Sequence, residues 1–241
     1  MTGAPLDEAG SKLRNTLRGL GLALPLPTRT KVRLYYRIFT PFFLVLGEGS
    51  GMLNYGQEAL CARTIASLPV PGRWLDVGCG VGGPACWLAR ETPGVAITGL
   101  NIAPRHIEAA RIRAERAGLA GRVEFVHGDA CRMPFGDAPR FDGLYAIETA
   151  FHFPDKPAFV REARRVLRPG GRFACADMVL AERPAGLGQR LVTWGFHKWL
   201  GVMHMVTPDA WRTMLEAAGF RDVAVEDISA LALRDALAIA N

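Results

Sequence analysis

The sequence predicts an α/β fold built on a doubly wound parallel sheet of about seven strands. Three observations predict it. Short apolar runs alternate with helical patterns over most of the 241 residues, the rhythm of a parallel sheet with helices on both faces. Glycines punctuate the joins, at Gly94, Gly118, Gly121, Gly170, Gly171 and Gly219, as helix ends and turns prefer. The first strand runs into Leu75-Asp76-Val77-Gly78-Cys79-Gly80-Val81-Gly82-Gly83, a turn whose glycines accept positive φ and let backbone approach a ligand closely.

The elements follow in order. Residues 1–55 form an N-terminal arm, read as helical, and residues 56–241 form the main domain. Strands are expected at 73–77, 95–100, 123–127, 141–147, 172–176 and 223–228. Helices are expected between them at 84–90, 105–117, 156–166 and 208–218. Asp155 reads as the cap of the third of these helices. Residues 179–207 interrupt the rhythm after the fifth strand. This insert carries Trp194, Phe196, His197, Trp199, Met203, His204 and Met205. It reads as a lid over a pocket, because inserts at strand ends shape pockets; plain core is the alternative. After the sixth strand, either 236–240 adds a short last strand or a partner chain covers the edge. An open edge strand is a liability, so a homodimer is one expectation.

Composition narrows the class. Hydrophobic content of 49% with 22% charged residues fits a globular domain with a substantial core. No apolar run approaches the roughly 20 residues of a membrane span. The stretch 38–46 is short and contains Pro41. The opening residues lack a charged-then-apolar leader, so no secretory signal is expected. The five cysteines are odd in number and form no C-x-x-C pair, which argues against a disulfide framework or a zinc site. They read as buried small hydrophobes in a reducing cytoplasm, and no metal is expected.

Net charge is +6, but it is placed unevenly. Residues 1–46 hold Lys12, Arg14, Arg18, Arg29, Lys31, Arg33 and Arg37 against Asp7 and Glu8, so 7 − 2 = +5. That arm is either a solvated helical face or a basic, apolar surface for an anionic membrane or acidic ligand. Nucleic acid ranks below both, because the rest of the chain shows no basic stripe.

The glycine turn admits two ligands. Gly78, Gly80 and Gly83 satisfy G-x-G-x-x-G, the dinucleotide fingerprint, which would make the protein a nicotinamide-dependent dehydrogenase. That site wants a carboxylate at the end of the second strand for the ribose, and here Asn101 stands there. Asp76 sits badly beside a pyrophosphate and suits the ammonium of a sulfonium amino acid.

The turn resembles the S-adenosylmethionine site of class I methyltransferases, a Rossmann-like family, and the resemblance extends over roughly residues 52–229. Asn54-Tyr55-Gly56 is similar to the motif that closes over the methionine end. Gly99-Leu100-Asn101-Ile102-Ala103 is similar to the second-strand motif, which implies Asn101 on the ribose hydroxyls and Ile102 against adenine. His106 stands where many relatives have Gln. Gly128-Asp129-Ala130 resembles the adenine motif, with Asp129 accepting from the exocyclic amine. Leu167-Arg168-Pro169-Gly170-Gly171 resembles the turn before the fifth strand. The resemblance implies S-adenosylmethionine as cofactor, S-adenosylhomocysteine as product, and Tyr55, Asp76, Gly78, Gly80, Asn101, Ile102, His106, Asp129, Ala130 and Glu148 as its contacts.

Glu148-Thr149-Ala150-Phe151-His152-Phe153-Pro154-Asp155 resembles the branch that methylates small molecules, among them sterol, tocopherol and sugar O-methyltransferases. The N-P-P-Y and D-P-P-Y motifs of amide and nucleobase methylation are absent. An alcohol needs a base near the methyl group, and His152, with an unperturbed pKa of about 6.5, suits that work; a positioning histidine is the alternative. Asp177 would orient His152 or bind the hydroxyl, or else cap a loop. Glu148 would hold either the methionine end or the substrate. Phe151, Trp194, His197, Trp199 and His204 are the expected acceptor pocket. The expected reaction is methyl transfer to a hydroxyl of a small apolar natural product or lipid-like molecule. C-methylation and a non-catalytic membrane-surface role are the alternatives.

Overall fold

The computed structural model describes residues 57–180 and 204–229. The arm at 1–55 lies outside the described residues. So do the interior of the expected insert and the segment 236–240, and with them Tyr55, Trp194, His197 and Trp199.

Helix α1 (Gln57–Ile65) leads into strand β1 (Gly72–Val77), helix α2 (Gly83–Glu91), strand β2 (Val95–Asn101) and helix α3 (Pro104–Arg116). Strands β3 (Val123–His127) and β4 (Phe141–Ile147) follow, then a single 3-10 turn (Ala150–His152), helix α4 (Lys156–Val166), strand β5 (Leu167–Ala176) and helix α5 (Pro208–Ala217). Local sequence explains the helix starts. Asp155 accepts from the Ala158 N–H at 2.9 Å and caps α4, as expected. Thr207 accepts from Ala210 and caps α5. Each of α2 to α5 carries proline in its first turn, where no N–H is needed.

The five described strands pair in the order β3-β2-β1-β4-β5, all parallel. Helices cover both faces, so the sheet is doubly wound. On one face Trp74, Ile97 and Tyr145 pack with Cys61 of α1, Cys86 and Leu88 of α2 and Ile107 and Ala110 of α3. On the other, Leu75, Val77 and Leu144 pack with Phe159 and Val160 of α4 and Trp211 of α5. All five cysteines are free, and four of them are buried.

Two expectations change. Residues 223–228 form no ladder among the described residues, and 236–240, expected to follow them as a last strand, lie outside those residues. Side chains hold residues 223–228 instead: Arg212 donates to the Val223 carbonyl and Arg63 pairs with Glu226. Val225 remains 43% exposed. Among the described residues the sheet has five strands. Strand β5 also starts earlier than 172. Its pairing with β4 jumps from Phe141–Leu167 to Gly143–Arg172, so the residues between them bulge out while the strand continues. Among the described residues no helix is long and apolar enough to cross a membrane.

Candidate active site

The chain order reverses between β1 and β4, which places a crevice at the carboxyl ends of the central strands. An open cleft lies there, lined by Gly78, Asn101, Ile102, Asp129, Ala130 and His152 among others. Four separate stretches of sequence thus meet at one cavity. Leu100, Gly128, Thr149, Phe153 and Pro154 complete its wall.

The glycine turn is built backbone first. The N–H groups of Gly78 and Cys79 both donate to the Leu100 carbonyl, at 2.8 and 3.1 Å, which ties the turn to β2. Gly78 has φ +81, and a Cβ there would lie 2.0 Å from Thr149 Oγ1 and 2.7 Å from its Cβ. Gly80, at φ +52, has nothing within 4 Å of where its Cβ would be. One glycine is required by a neighbour; the other leaves the backbone open to a ligand.

Asp76 lies at the end of β1, 3% exposed, in register with Tyr145 on β4. Burial pushes its carboxyl up to about 7, while the neighbouring Tyr145 hydroxyl pulls it the other way. Neither Asp76 Oδ2 nor the Tyr145 hydroxyl closes a hydrogen bond of normal geometry. A buried carboxylate oxygen in this state fits a cationic ligand group.

Asn101 and Asp129 are fixed in similar ways. Asn101 Oδ1 accepts from the Ala103 N–H at 2.9 Å, which leaves its amide nitrogen as the group to offer a ligand. Asp129 Oδ1 accepts from the Cys131 N–H at 2.8 Å. Glu148 closes β4 with φ +49, a conformation costly for a residue with a side chain and concentrated at functional sites. Its N–H donates to the Ala176 carbonyl.

His152 ends the 3-10 turn with its ring 4.1 Å from that of Phe151. Asp177, one residue beyond β5, accepts the Phe151 N–H on Oδ1 at 3.1 Å. It therefore acts on the backbone carrying His152 rather than on the imidazole. Burial pushes the Asp177 carboxyl up to about 7, opposed by the Phe151 N–H and by the Lys156 ammonium.

Two expected residues lie elsewhere. His106 is buried in the first turn of α3, and burial pushes its imidazole down to about 4, so it is a neutral ring outside the cleft wall. His204 donates its N–H to the Phe151 carbonyl at 2.5 Å and lines a second, open groove with Phe153, Lys156, Val206 and Met214. Tyr145 and Thr149 were not legible in the sequence as site residues. Their signal is positional, because it needs the pairing of β1 with β4.

Comparison with known proteins agrees with this geometry. A family described as a methyltransferase domain matches residues 75–175. The chain is 37% identical over 187 residues to a 27-O-demethylrifamycin SV methyltransferase of Amycolatopsis mediterranei, covering 76% of this chain and 66% of that protein. It is 39% identical to a sterol 24-C-methyltransferase of Gibberella zeae (65% of this chain, 41% of that protein). It is 38% identical to an O-methyltransferase of Aspergillus nomiae (65% of this chain, 67% of that protein). The chain thus spans from 41% to 67% of the length of these relatives. Among solved structures it superimposes on the cyclase SpnF with a TM-score of 0.71 and 27% identity, covering 87% of this chain and 79% of that one. The dehydrogenase reading of the glycine turn gives way to these matches and to Asn101: the chain belongs to the S-adenosylmethionine-dependent methyltransferases.

Proposed function

We propose that the protein transfers a methyl group from S-adenosylmethionine to a hydroxyl of a small apolar natural product or lipid-like molecule, with His152 as general base. The observation that carries this reading is that His152 lines the same cleft as Gly78, Asn101 and Asp129.

The residues fit the cofactor. Asp76, with its buried unpartnered oxygen, takes the ammonium, and Gly78 and Gly80 admit the methionine end against bare backbone. Asn101 offers its amide to the ribose, Asp129 its carboxylate to the exocyclic amine, and Ile102 and Ala130 their apolar surface to adenine. When bound, S-adenosylmethionine supplies a methyl group already activated on a sulfonium and becomes S-adenosylhomocysteine.

What remains for the chain is to orient the acceptor, exclude water and take a proton. His152 accepts the hydroxyl proton on a ring nitrogen as the acceptor oxygen becomes an ether oxygen. Asp177 holds the turn that aims His152 through the Phe151 N–H. Phe151, Phe153 and Pro154 keep the surroundings dry. The names of the rifamycin and Aspergillus relatives favour an oxygen acceptor.

C-methylation is the second reading. The rings of Phe151 and His152 in contact, with Phe153 beside them, offer π faces to a developing carbocation, and one relative is a sterol 24-C-methyltransferase.

The test is incubation with methyl-labelled cofactor and fractionated extract of the source cells. Label in an organic-soluble small molecule supports the reading, and the linkage formed separates oxygen from carbon. Label in RNA or protein overturns the acceptor class. His152→Ala is expected to slow transfer by about 10²–10⁴-fold, the usual contribution of a general base. A loss below about tenfold would remove His152 from that role.

A further inference from the structure

Helix α4 supplies no residue to the cleft wall, yet it is bonded to the loop that follows Asp129 and Ala130. After Asp129 and Ala130 the chain runs through Cys131, Met133, Phe135 and Gly136 before reaching β4. Arg165, three residues beyond Glu162 on α4, holds this loop. Its Nη1 donates to the carbonyls of Phe135 at 3.0 Å and Gly136 at 2.8 Å. Its Nη2 donates to the Met133 carbonyl at 3.3 Å and to Glu162 Oε2 at 2.7 Å. Its Nε donates to Glu162 Oε1 at 2.8 Å. A guanidinium has five N–H donors, and all five are committed. Glu162 Oε2 in turn accepts the Met133 N–H at 2.7 Å, so both backbone groups of Met133 are held.

The rest of the loop is closed on itself. The Arg132 N–H donates to the Asp129 carbonyl, and Gly128 has no room for a Cβ, which would lie 2.6 Å from Pro134 Cδ and 2.8 Å from Leu100 Cδ1. The near end of α4 joins the same network, because Cys131 Sγ donates to the carbonyl of the capping residue Asp155 at 3.3 Å. Asp129 and Ala130 therefore inherit their position from α4 through rigid, short-range bonds.

We propose that Glu162 and Arg165 are positioning residues for the nucleoside half of the cofactor: their clamp on residues 133–136 sets where Asp129 and Ala130 stand in the cleft. This rests on the cofactor site described above. The fork geometry carries the effect, not the charge. Three backbone carbonyls and a carboxylate lie in the directions of one planar guanidinium, and an ammonium is a point charge that cannot reach them together.

Arg165→Lys in the full chain tests it, with S-adenosylhomocysteine and adenosine as probes. The expected result is about a tenfold loss of affinity for both, about 1.4 kcal/mol each, because adenosine reports the nucleoside half alone. With an acceptor in hand, KM for the cofactor rises by the same factor while kcat stays within about twofold, the signature of lost binding that ground and transition states share. Glu162→Gln, a milder change that keeps the side chain's shape, is expected to give a smaller loss in the same direction, and serves if Arg165→Lys fails to fold. Arg168→Lys is the control. Arg168 pairs with Asp142 at the opposite end of the sheet, so its loss lowers the melting temperature without moving either affinity.

The proposal is overturned if Arg165→Lys and Glu162→Gln lower the melting temperature but leave both affinities within about twofold. Absence of binding by the unaltered protein would instead count against the cofactor reading, so the two failures are distinguishable.

Discussion

At the scale of single residues, the site turns on a carboxylate that burial keeps protonated. Asp76, ordinarily ionised above about 4, holds its proton to about pH 7 in the folded chain. Between those values the folded state keeps a proton that the unfolded chain has released, so stability falls as pH rises through that window. Asp177, also raised to about 7, acts in the same direction. The melting temperature of the cofactor-free protein is therefore expected to drop from about pH 5 to about pH 8, and Asp76→Asn should flatten the curve. Cofactor binding carries the opposite sign. An ammonium beside Asp76 favours the ionised form, so affinity for S-adenosylhomocysteine should rise with pH up to about 7 and level off above it. A calorimetric pH series would show this. Asp76→Asn should bind more weakly and without that slope; an unchanged slope would remove Asp76 as the ammonium's partner. Gly78 gives a steric counterpart. Because a methyl there meets Thr149 at its Cβ as well as its hydroxyl, no rotation of Thr149 relieves the clash. Gly78→Ala is expected to abolish measurable binding of S-adenosylhomocysteine and to lower the melting temperature.

At the scale of elements, what was legible in the sequence was what is local. The acid and glycines after β1, the Asp155 cap and the helix periods lie within a few residues of one another, and those elements stand within a few residues of their expected places. The failures are non-local. Thr149 against Gly78, Tyr145 beside Asp76 and the Asp177 carboxylate on the Phe151 N–H all need the neighbour order β1-β4-β5, which no local pattern encodes. Residues 223–228 alternate like a strand, and a strand needs a ladder partner, which none of the described residues supplies. His106, expected among the cofactor contacts, stands buried in the first turn of α3. Gly82 shows the same division. Its glycine identity reads as a turn, but the cost of changing it comes from two distant elements. With φ +80, it caps α2, and a Cβ would lie 2.7 Å from Phe125 on β3 and 2.9 Å from Ala110 on α3. Gly82→Ala is expected to destabilise by roughly 2 kcal/mol or more, through overpacking and the left-handed backbone together. Chemical denaturation measures it.

At the scale of the whole molecule, charge and chemistry are separated along the chain. The central strands bring the glycine turn and His152 to one crevice. The region beyond residue 46 carries only about one of the six net positive charges, and several of its described arginines are committed to backbone carbonyls, as with Arg111 on Phe125 and Arg122 on Thr92 and Val95. The excess of +5 sits in residues 1–46, beside apolar stretches. A basic, apolar arm beside a catalytic domain suits delivery of the proposed apolar acceptor from an anionic lipid surface. Each basic residue near such a surface is worth about 1 kcal/mol, and the attraction is lost within a Debye length. The full chain is therefore expected to float with vesicles of phosphatidylglycerol at low ionic strength, to release at high salt, and to ignore vesicles of phosphatidylcholine alone. Replacing Arg29, Lys31, Arg33 and Arg37 together by Gln should abolish flotation while leaving the affinity for S-adenosylhomocysteine unchanged, because the cofactor cleft is built from residues 78–154. Flotation that survives both high salt and the fourfold replacement would make the contact hydrophobic and assign it to another part of the chain. No flotation on either lipid would return the arm to a solvated face and place acceptor delivery in solution.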